Sequence, residues 1–298
     1  MINRILSSLR GAASAAPTTP ATEIPLLFPL GHFYSPIADP ADLRAREASI
    51  WTRRDTMPGI DLNVGGQLAL LTALGPHTSS IDYPTDAPGD QTTYYYRNDQ
   101  YPLLDAQFLH AALCHFRPKT MIEVGSGFSS LITASVNRRV LQGGLRFMCI
   151  EPYPRQFLID GVPGIADLIR HKVEDVPLQF FDSLQAGDIL FIDSSHVSKV
   201  GSDVNYLFFE VLPRLSSGVI VHIHDIFLPD EYPKVWAIDQ GRNWNEQYVV
   251  RAFLQFNTAW EILWAAHFMG TRHTAAVQQV FPRYPADGGG GSLWICRR

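Results

Sequence analysis

From residue 101 onward the chain switches repeatedly between two hydrophobic periods, and this alternation limits its fold more than any other feature. Leu104, Phe108, Leu109, Ala112 and Phe116 recur at helical spacing. Thr120-Met-Ile-Glu-Val then forms a short apolar run closed by Gly125, which reads as a strand, and a second helix is expected over Phe128–Arg139. Further strands are expected at Arg146–Ile150, 168–173, 188–192 and 219–224. Between the last two, Val204, Leu207, Phe208, Val211, Leu212 and Leu215 form one helical stripe that stops near Gly218. A helix over 245–256 and strands at Trp260–Ala265 and 293–296 complete the series. Strands that are apolar on both faces and alternate with helices predict a mostly parallel sheet covered on both sides, with right-handed crossovers. Ligands of such sheets bind beyond the carboxyl ends of the strands.

The first hundred residues read differently. Residues 28–100 are dense in Pro, Gly, Asp and Tyr, with one short helix expected near 66–74, where Gln67-Leu-Ala-Leu-Leu precedes Gly75-Pro76. The stretch 81–99, with three consecutive tyrosines, reads as turns and irregular loop. The expected division is a flexible terminus over 1–25, an irregular extension over 26–100 that packs on the core, and one domain over 101–298. Residues 1–22 are acid-free, with Arg4 and Arg10 among Ala, Ser, Thr and Pro. That composition fits a frayed terminus better than a transit peptide, because Pro17 and Pro20 break any longer amphipathic helix.

Composition narrows the class. Of 298 residues 46% are hydrophobic and 18% charged, enough to build a sizeable core. A net charge of −5, without a basic stripe, argues against a nucleic-acid partner. Cys114, Cys149 and Cys296 are odd in number and lack CxxC spacing, which disfavours a disulfide framework and a structural zinc site. No apolar run approaches the roughly 20 residues that span a bilayer, so a cytoplasmic protein without a membrane partner is expected.

The chemistry is expected at the strand ends. After the first strand, Glu123-Val-Gly125-Ser126-Gly127 lets the backbone turn sharply and approach a ligand, and the next helix offers free N–H groups. A dinucleotide site would want a third glycine where Ser130 stands, and Glu123 suits a cation or ammonium better than a pyrophosphate. A nicotinamide dehydrogenase is therefore disfavoured. Glu151, ending the second strand, is placed to accept from both hydroxyls of a ribose. Asp175, after the third, suits an adenine amino group. Asp193-Ser-Ser-His196 follows the fourth strand and His222-Ile-His224-Asp225 closes the fifth. His222 and His224 share a face, and buried imidazoles need partners for their ring nitrogens. With Asp193 and Asp225 they suit a mixed N and O metal site: zinc, manganese or iron by the imidazoles, magnesium or calcium by the carboxylates.

These residues, with the near-continuous runs IEVGSGFSS, IEPYP, DILFIDSSHV, GSDV, VHIHDIF and WNEQY, resemble the class I S-adenosylmethionine-dependent methyltransferases over roughly 103–298. The branch is a bacterial one, distantly similar to catechol O-methyltransferase-like enzymes. The resemblance implies a Rossmann-like α/β three-layer sandwich with a mostly parallel seven-stranded sheet whose last strand is antiparallel. It implies S-adenosylmethionine as cofactor, with Glu123, Gly125, Ser126, Gly127 and Asp193 around its methionine part, Glu151 on the ribose and Asp175 by the adenine. Where the catechol-type enzymes carry a magnesium-binding Asp, a lysine base three residues on, and an Asp-Asn pair, this chain has Asp193, His196 and His224-Asp225. The substitution weakens the case for magnesium and leaves His196 as a general base, its ordinary pKa near 6.5 suiting proton removal. The expected metal ligands are Asp193, His224 and Asp225, for Mg, Mn, Fe or Zn, and the expected reaction is O-methylation of a small hydroxylated acceptor, with self-association open. A metal-dependent enzyme that transfers no methyl, and a non-catalytic cofactor- or partner-binding protein, are the alternatives. Asn245 and Glu246, after the aromatic loop 227–244, read equally as helix cap and dipole partner or as substrate contacts, and Tyr94–Tyr101 as packing or as an acceptor pocket.

Overall fold

The computed structural model describes residues 2–9, 27–101, 103–281, 283–284 and 289–298. Its strands are β1 (Thr120–Val124), β2 (Arg146–Ile150), β3 (Asp167–Ile169), β4 (Ile189–Ile192), β5 (Ile220–Ile223), β6 (Trp260–Ala265) and β7 (Leu293–Arg297). They form one seven-stranded sheet in the order β3-β2-β1-β4-β5-β7-β6. Strands β1 to β5 pair in parallel, and β7 runs antiparallel to both β5 and β6. This is the mostly parallel, doubly covered sheet expected from the alternating periods, and the Rossmann-like α/β sandwich with a reversed last strand that the resemblance implies.

The core follows from the strands being apolar on both faces. All four residues of β4 and of β5 are buried. Each fully buried Leu, Ile or Phe there contributes about 1.5–3 kcal/mol by leaving water. The helix Leu103–Phe116 is buried from Leu104 to Cys114, which a helix apolar nearly all round must be. Its Phe108 stacks on Trp264 of β6 at 4.6 Å.

Two of the expected elements of the sheet domain take a different form. The third strand stops at Ile169, because Arg170-His171-Lys172 is polar and Val173–Asp175 folds into a 3-10 turn. The single stripe over 204–215 becomes an α turn (Asp203–Tyr206), a π segment (Leu207–Val211) and a 3-10 turn (Leu212–Arg214). Pro213 has no N–H to continue an α ladder, and the wider turn absorbs the mismatch.

Residues 2–9, expected to fray, form the helix Ile2–Leu9 with Leu6 buried. The rest of that expectation, the acid-free stretch from residue 10, lies outside the described residues up to 26. Segments before residue 101 bond to the late strands and to the loop after β5. Gln67, in the helix Val64–Leu74, accepts from the Ala265 N–H at 2.7 Å, and the Trp51 indole donates to the Tyr232 carbonyl at 2.8 Å. Among the described residues no helix is long and apolar enough to cross a membrane.

The sheet order reverses between β1 and β4, and their carboxyl ends touch. Beyond β1, Gly125 adopts φ +79°, and a Cβ there would stand 1.7 Å from the Asp193 carbonyl oxygen beyond β4. Only glycine lets these two ends approach so closely.

Candidate active site

The ends of β1, β2, β4 and β5 open into one cavity of about 790 Å³. On the β1 and β2 side it is lined by Gly125, Ser126, Gly127 and Glu151, and on the other by Asp193, His196 and Asp225. Asn98–Tyr101, Gly289–Gly291 and the aromatic residues Phe227, Trp236 and Trp244 complete the wall.

Glu151 ends β2 with its two oxygens accepting from the Ser126 N–H (3.1 Å) and the Tyr153 N–H (2.8 Å). Each oxygen keeps lone pairs that a vicinal diol could use. Burial, opposed by these two N–H groups, pushes its pKa up. Glu123 is placed differently from its expected cofactor contact. It is wholly buried under the Gly125–Gly127 turn and does not line the cavity. Its oxygens accept from the hydroxyls of Ser129 and Ser130, both at 2.6 Å. Burial pushes its pKa up to about 7, against those two hydroxyls. Its work is to anchor the first turn of the helix Phe128–Arg139, where Ser130 in turn accepts the Gly127 N–H. Asp175 is exposed at the end of its 3-10 turn and lies outside the cavity wall.

On the other side three ligand-type side chains converge. His196 Nε2 lies 3.4 Å from Asp193 Oδ1 and 3.5 Å from Asp225 Oδ2. The three residues form a group whose ligand atoms all lie within 4.8 Å of one another. His196 (φ +59°) and Asp225 (φ +57°) both adopt left-handed backbone, a strained choice for residues with a Cβ that recurs at functional sites. The turn at His196 aims its carbonyl at the helix Glu246–Leu254, where it accepts the N–H groups of Asn245 (3.0 Å) and Glu246 (3.1 Å). That contact brings Glu246 over the imidazole, and Glu246 Oε2 accepts from His196 Nδ1 at 3.0 Å. Nδ1 therefore carries a proton, and Nε2 faces the two aspartates. Burial would push the imidazole pKa down, but Asp193 and Glu246 outweigh it and hold it well above the usual value. Burial also pushes Glu246 and Asp225 up, with His196 and His224 opposing.

The expected set of Asp193, His224 and Asp225 is regrouped here. His224 lies behind the aspartates, its Nε2 3.7 Å from Asp225 Oδ1 and its ring stacked on Tyr101 at 4.9 Å, and His196 takes the place facing both carboxylates. His222 shares a face with His224, as the strand period requires, but stacks on Phe191 at 3.7 Å and lies buried with no hydrogen bond to either ring nitrogen among the described residues. Burial, with His224 beside it, keeps that imidazole neutral, its pKa well below the usual value. Neutrality is what allows it to pack as an aromatic ring.

Other features were not legible in the residues. Asn245 does not cap its helix with its side chain; it bonds the Ser198 backbone instead, accepting from N–H at 2.6 Å and donating to the carbonyl at 3.2 Å. Tyr94 packs in the core, as one expectation had it, while Asn98–Tyr101 lines the cavity; Arg97 leaves the block to pair with Asp86 on the surface. Asp105, buried in the helix Leu103–Phe116, accepts the N–H groups of Gly291 (2.8 Å) and Ser292 (3.1 Å). The glycine run just before the last strand was the only sign of that wall.

Residues 122–226, from β1 to just past Asp225, match the family described as a methyltransferase domain. A protein of Archaeoglobus fulgidus is 39% identical over 168 residues, covering 55% of this chain and 76% of that protein. Among solved structures, the chain is similar to the O-methyltransferase TomG of Streptomyces achromogenes in complex with S-adenosylmethionine, at 15% identity and TM-score 0.40, with 86% of this chain and 96% of that one covered. It is also similar to the S-adenosylhomocysteine-bound methyltransferase PaMTH1 of Podospora anserina, at 14% identity and TM-score 0.41, with 92% and 100% covered. Residues 122–226 thus carry a methyltransferase domain, which spans the reversal point of the seven-stranded sheet and its glycine turn.

Proposed function

We propose that the protein methylates a hydroxyl oxygen of a small acceptor, with a divalent cation held by Asp193, His196 and Asp225. The observation that carries this reading is the convergence of those three side chains beside the Gly125–Gly127 turn in one cavity. The donor set fits a cation on its own chemistry. Separations of 3.4 and 3.5 Å between ligand atoms are close to the edge of a coordination polyhedron whose bonds are about 2.1 Å. Asp193 and Asp225 present two carboxylates to the same side of the His196 imidazole, a mixed oxygen and nitrogen donor set. A carboxylate on the far nitrogen of a metal-binding histidine is the usual outer support of such a site, and Glu246 supplies it.

On this reading Glu151 holds the ribose, and the turn at Gly125, Ser126 and Gly127 brings backbone N–H groups to the methionine part. Bound S-adenosylmethionine would supply an electrophilic methyl, and the cation a positive charge that makes the acceptor hydroxyl more acidic. The protein's own contribution is mostly placement: it holds the acceptor oxygen in line with the methyl while Phe227, Trp236 and Trp244 keep water from that side. Residues 26–100 belong with this unit, since Asn98–Tyr101 forms part of the wall. A second reading makes His196 the base, oriented by its bond to Glu246; the raised pKa of the imidazole then requires a pH high enough, or a bound cation, to free Nε2 of its proton.

The test is methyl transfer from labelled S-adenosylmethionine to a catechol and phenol panel, with His196→Ala and with chelator-treated protein. His196→Ala is expected to lower turnover by about 10²-fold or more with cofactor affinity nearly unchanged. Activity lost on chelation and restored by manganese or magnesium supports the cation reading, and activity indifferent to chelation supports the base. Undiminished turnover in His196→Ala would overturn both.

A further inference from the structure

Resting on the methyltransferase reading, we infer that the acceptor carries a carboxylate, and that Arg242 binds it. Two arginines line the cavity. Arg155 lies on the cofactor side, its guanidinium over Phe128 at 5.4 Å. Arg242 lies on the acceptor side, its guanidinium carbon 4.2 Å from the Trp236 ring and 4.7 Å from the Trp244 ring. No ion pair or side-chain hydrogen bond engages that guanidinium among the described residues. Around the helix Lys234–Ile238 that carries Trp236, the basic residues Arg44 and Lys234 pair with Asp239 and Glu47.

The arrangement is specific for what it leaves free. The two indoles, 5.3 Å apart and inclined at 76°, flank the guanidinium on adjacent sides and hold it in place, and no side-chain acceptor among the described residues takes its N–H groups. The N–H edge of a guanidinium matches a carboxylate with two parallel hydrogen bonds. Trp244 also fixes the scale. Its other neighbour is the His196 imidazole, 4.3 Å away ring to ring. The steps of 4.7 and 4.3 Å bound the distance from guanidinium carbon to imidazole centre at 9.0 Å. An acceptor that reaches both groups is therefore no larger than a single aromatic ring with a hydroxyl at one end and a carboxylate at the other. Phe227, 5.2 Å from Trp236 ring to ring, adds an apolar wall beside it. The charges also sort by position, with the aspartates at the reacting end and the free guanidinium at the other, so an acceptor carrying both groups can enter in only one orientation.

The experiment is calorimetric titration of the full chain, saturated with S-adenosylhomocysteine and magnesium, with 3,4-dihydroxybenzoate and with its methyl ester. The acid is expected to bind at least about tenfold more tightly than the ester, the worth of a charge-assisted hydrogen bond. Arg242→Gln should bring the acid to the ester's affinity, Arg242→Lys should restore part of the difference, and both should bind S-adenosylhomocysteine as the wild type does. Equal affinity for acid and ester, no binding of the acid, or a preference that survives Arg242→Gln would each overturn the inference. The underlying reading fails separately, by absence of S-adenosylhomocysteine binding in the titration that precedes the acceptor.

Discussion

Glu123→Gln separates the structural duty of the carboxylate beneath the glycine turn from the chemistry above it. Burial moves this carboxyl from an ordinary 4.5 to about 7. The folded protein therefore takes up a proton there that the unfolded chain releases, and it loses stability as the pH climbs from about 4.5 to about 7. A difference of 2.5 pKa units at 1.36 kcal/mol each makes the loss on the order of 3 kcal/mol above that window. Glutamine removes the charge and can keep the bonds. Its oxygen would accept from Ser130, whose hydroxyl is committed because Ser130 also accepts the Gly127 N–H, and its NH2 would donate to a reversed Ser129 hydroxyl. In urea unfolding of metal-free and cofactor-free protein, the variant should match the wild type near pH 5. It should exceed the wild type at pH 8 by on the order of 3 kcal/mol, with an unchanged dependence on denaturant. A difference that does not vary with pH, or a variant weaker at pH 8, would refute the reasoning.

Two further variants probe the strand ends. Gly125→Ala forces a Cβ to within 1.7 Å of the Asp193 carbonyl at φ +79°, so it should destabilise by about 3 kcal/mol or more in the same assay; wild-type stability would mean that β1 and β4 do not meet as described. Glu246→Gln keeps the shape beside His196 but removes the charge, and should weaken manganese binding by about 10–100-fold in equilibrium dialysis. Unchanged affinity would place Glu246 outside the support of the metal site.

How much could be read in advance depended on the range of the interaction. The helix Phe128–Arg139 and strands β1, β2 and β6 lie at their expected bounds, because each is set by a local hydrophobic period and a glycine or polar stop. The mostly parallel sheet followed from the alternation of those elements, and its seven strands with the last reversed from the family resemblance. Prediction failed where a residue's partner is distant in sequence. His196 and Glu246 are 50 residues apart, and only the left-handed turn at His196 joins them. Glu123 departs from its position-based reading for a local reason instead: the strand-to-helix turn brings hydroxyls six and seven residues on to its oxygens. The short helices Ala266–Arg272 and Thr274–Val280 were missed because seven residues carry too little periodicity to register.

The most direct test of the account is calorimetric titration of chelator-treated protein with S-adenosylmethionine, for the wild type and Glu151→Ala, without and with manganese or magnesium. The account predicts micromolar binding by the wild type, at least about tenfold weaker in Glu151→Ala because both ribose hydroxyls lose their acceptor, and binding or turnover that responds to the metal. Absence of binding under every condition, or equal binding by Glu151→Ala, would contradict it.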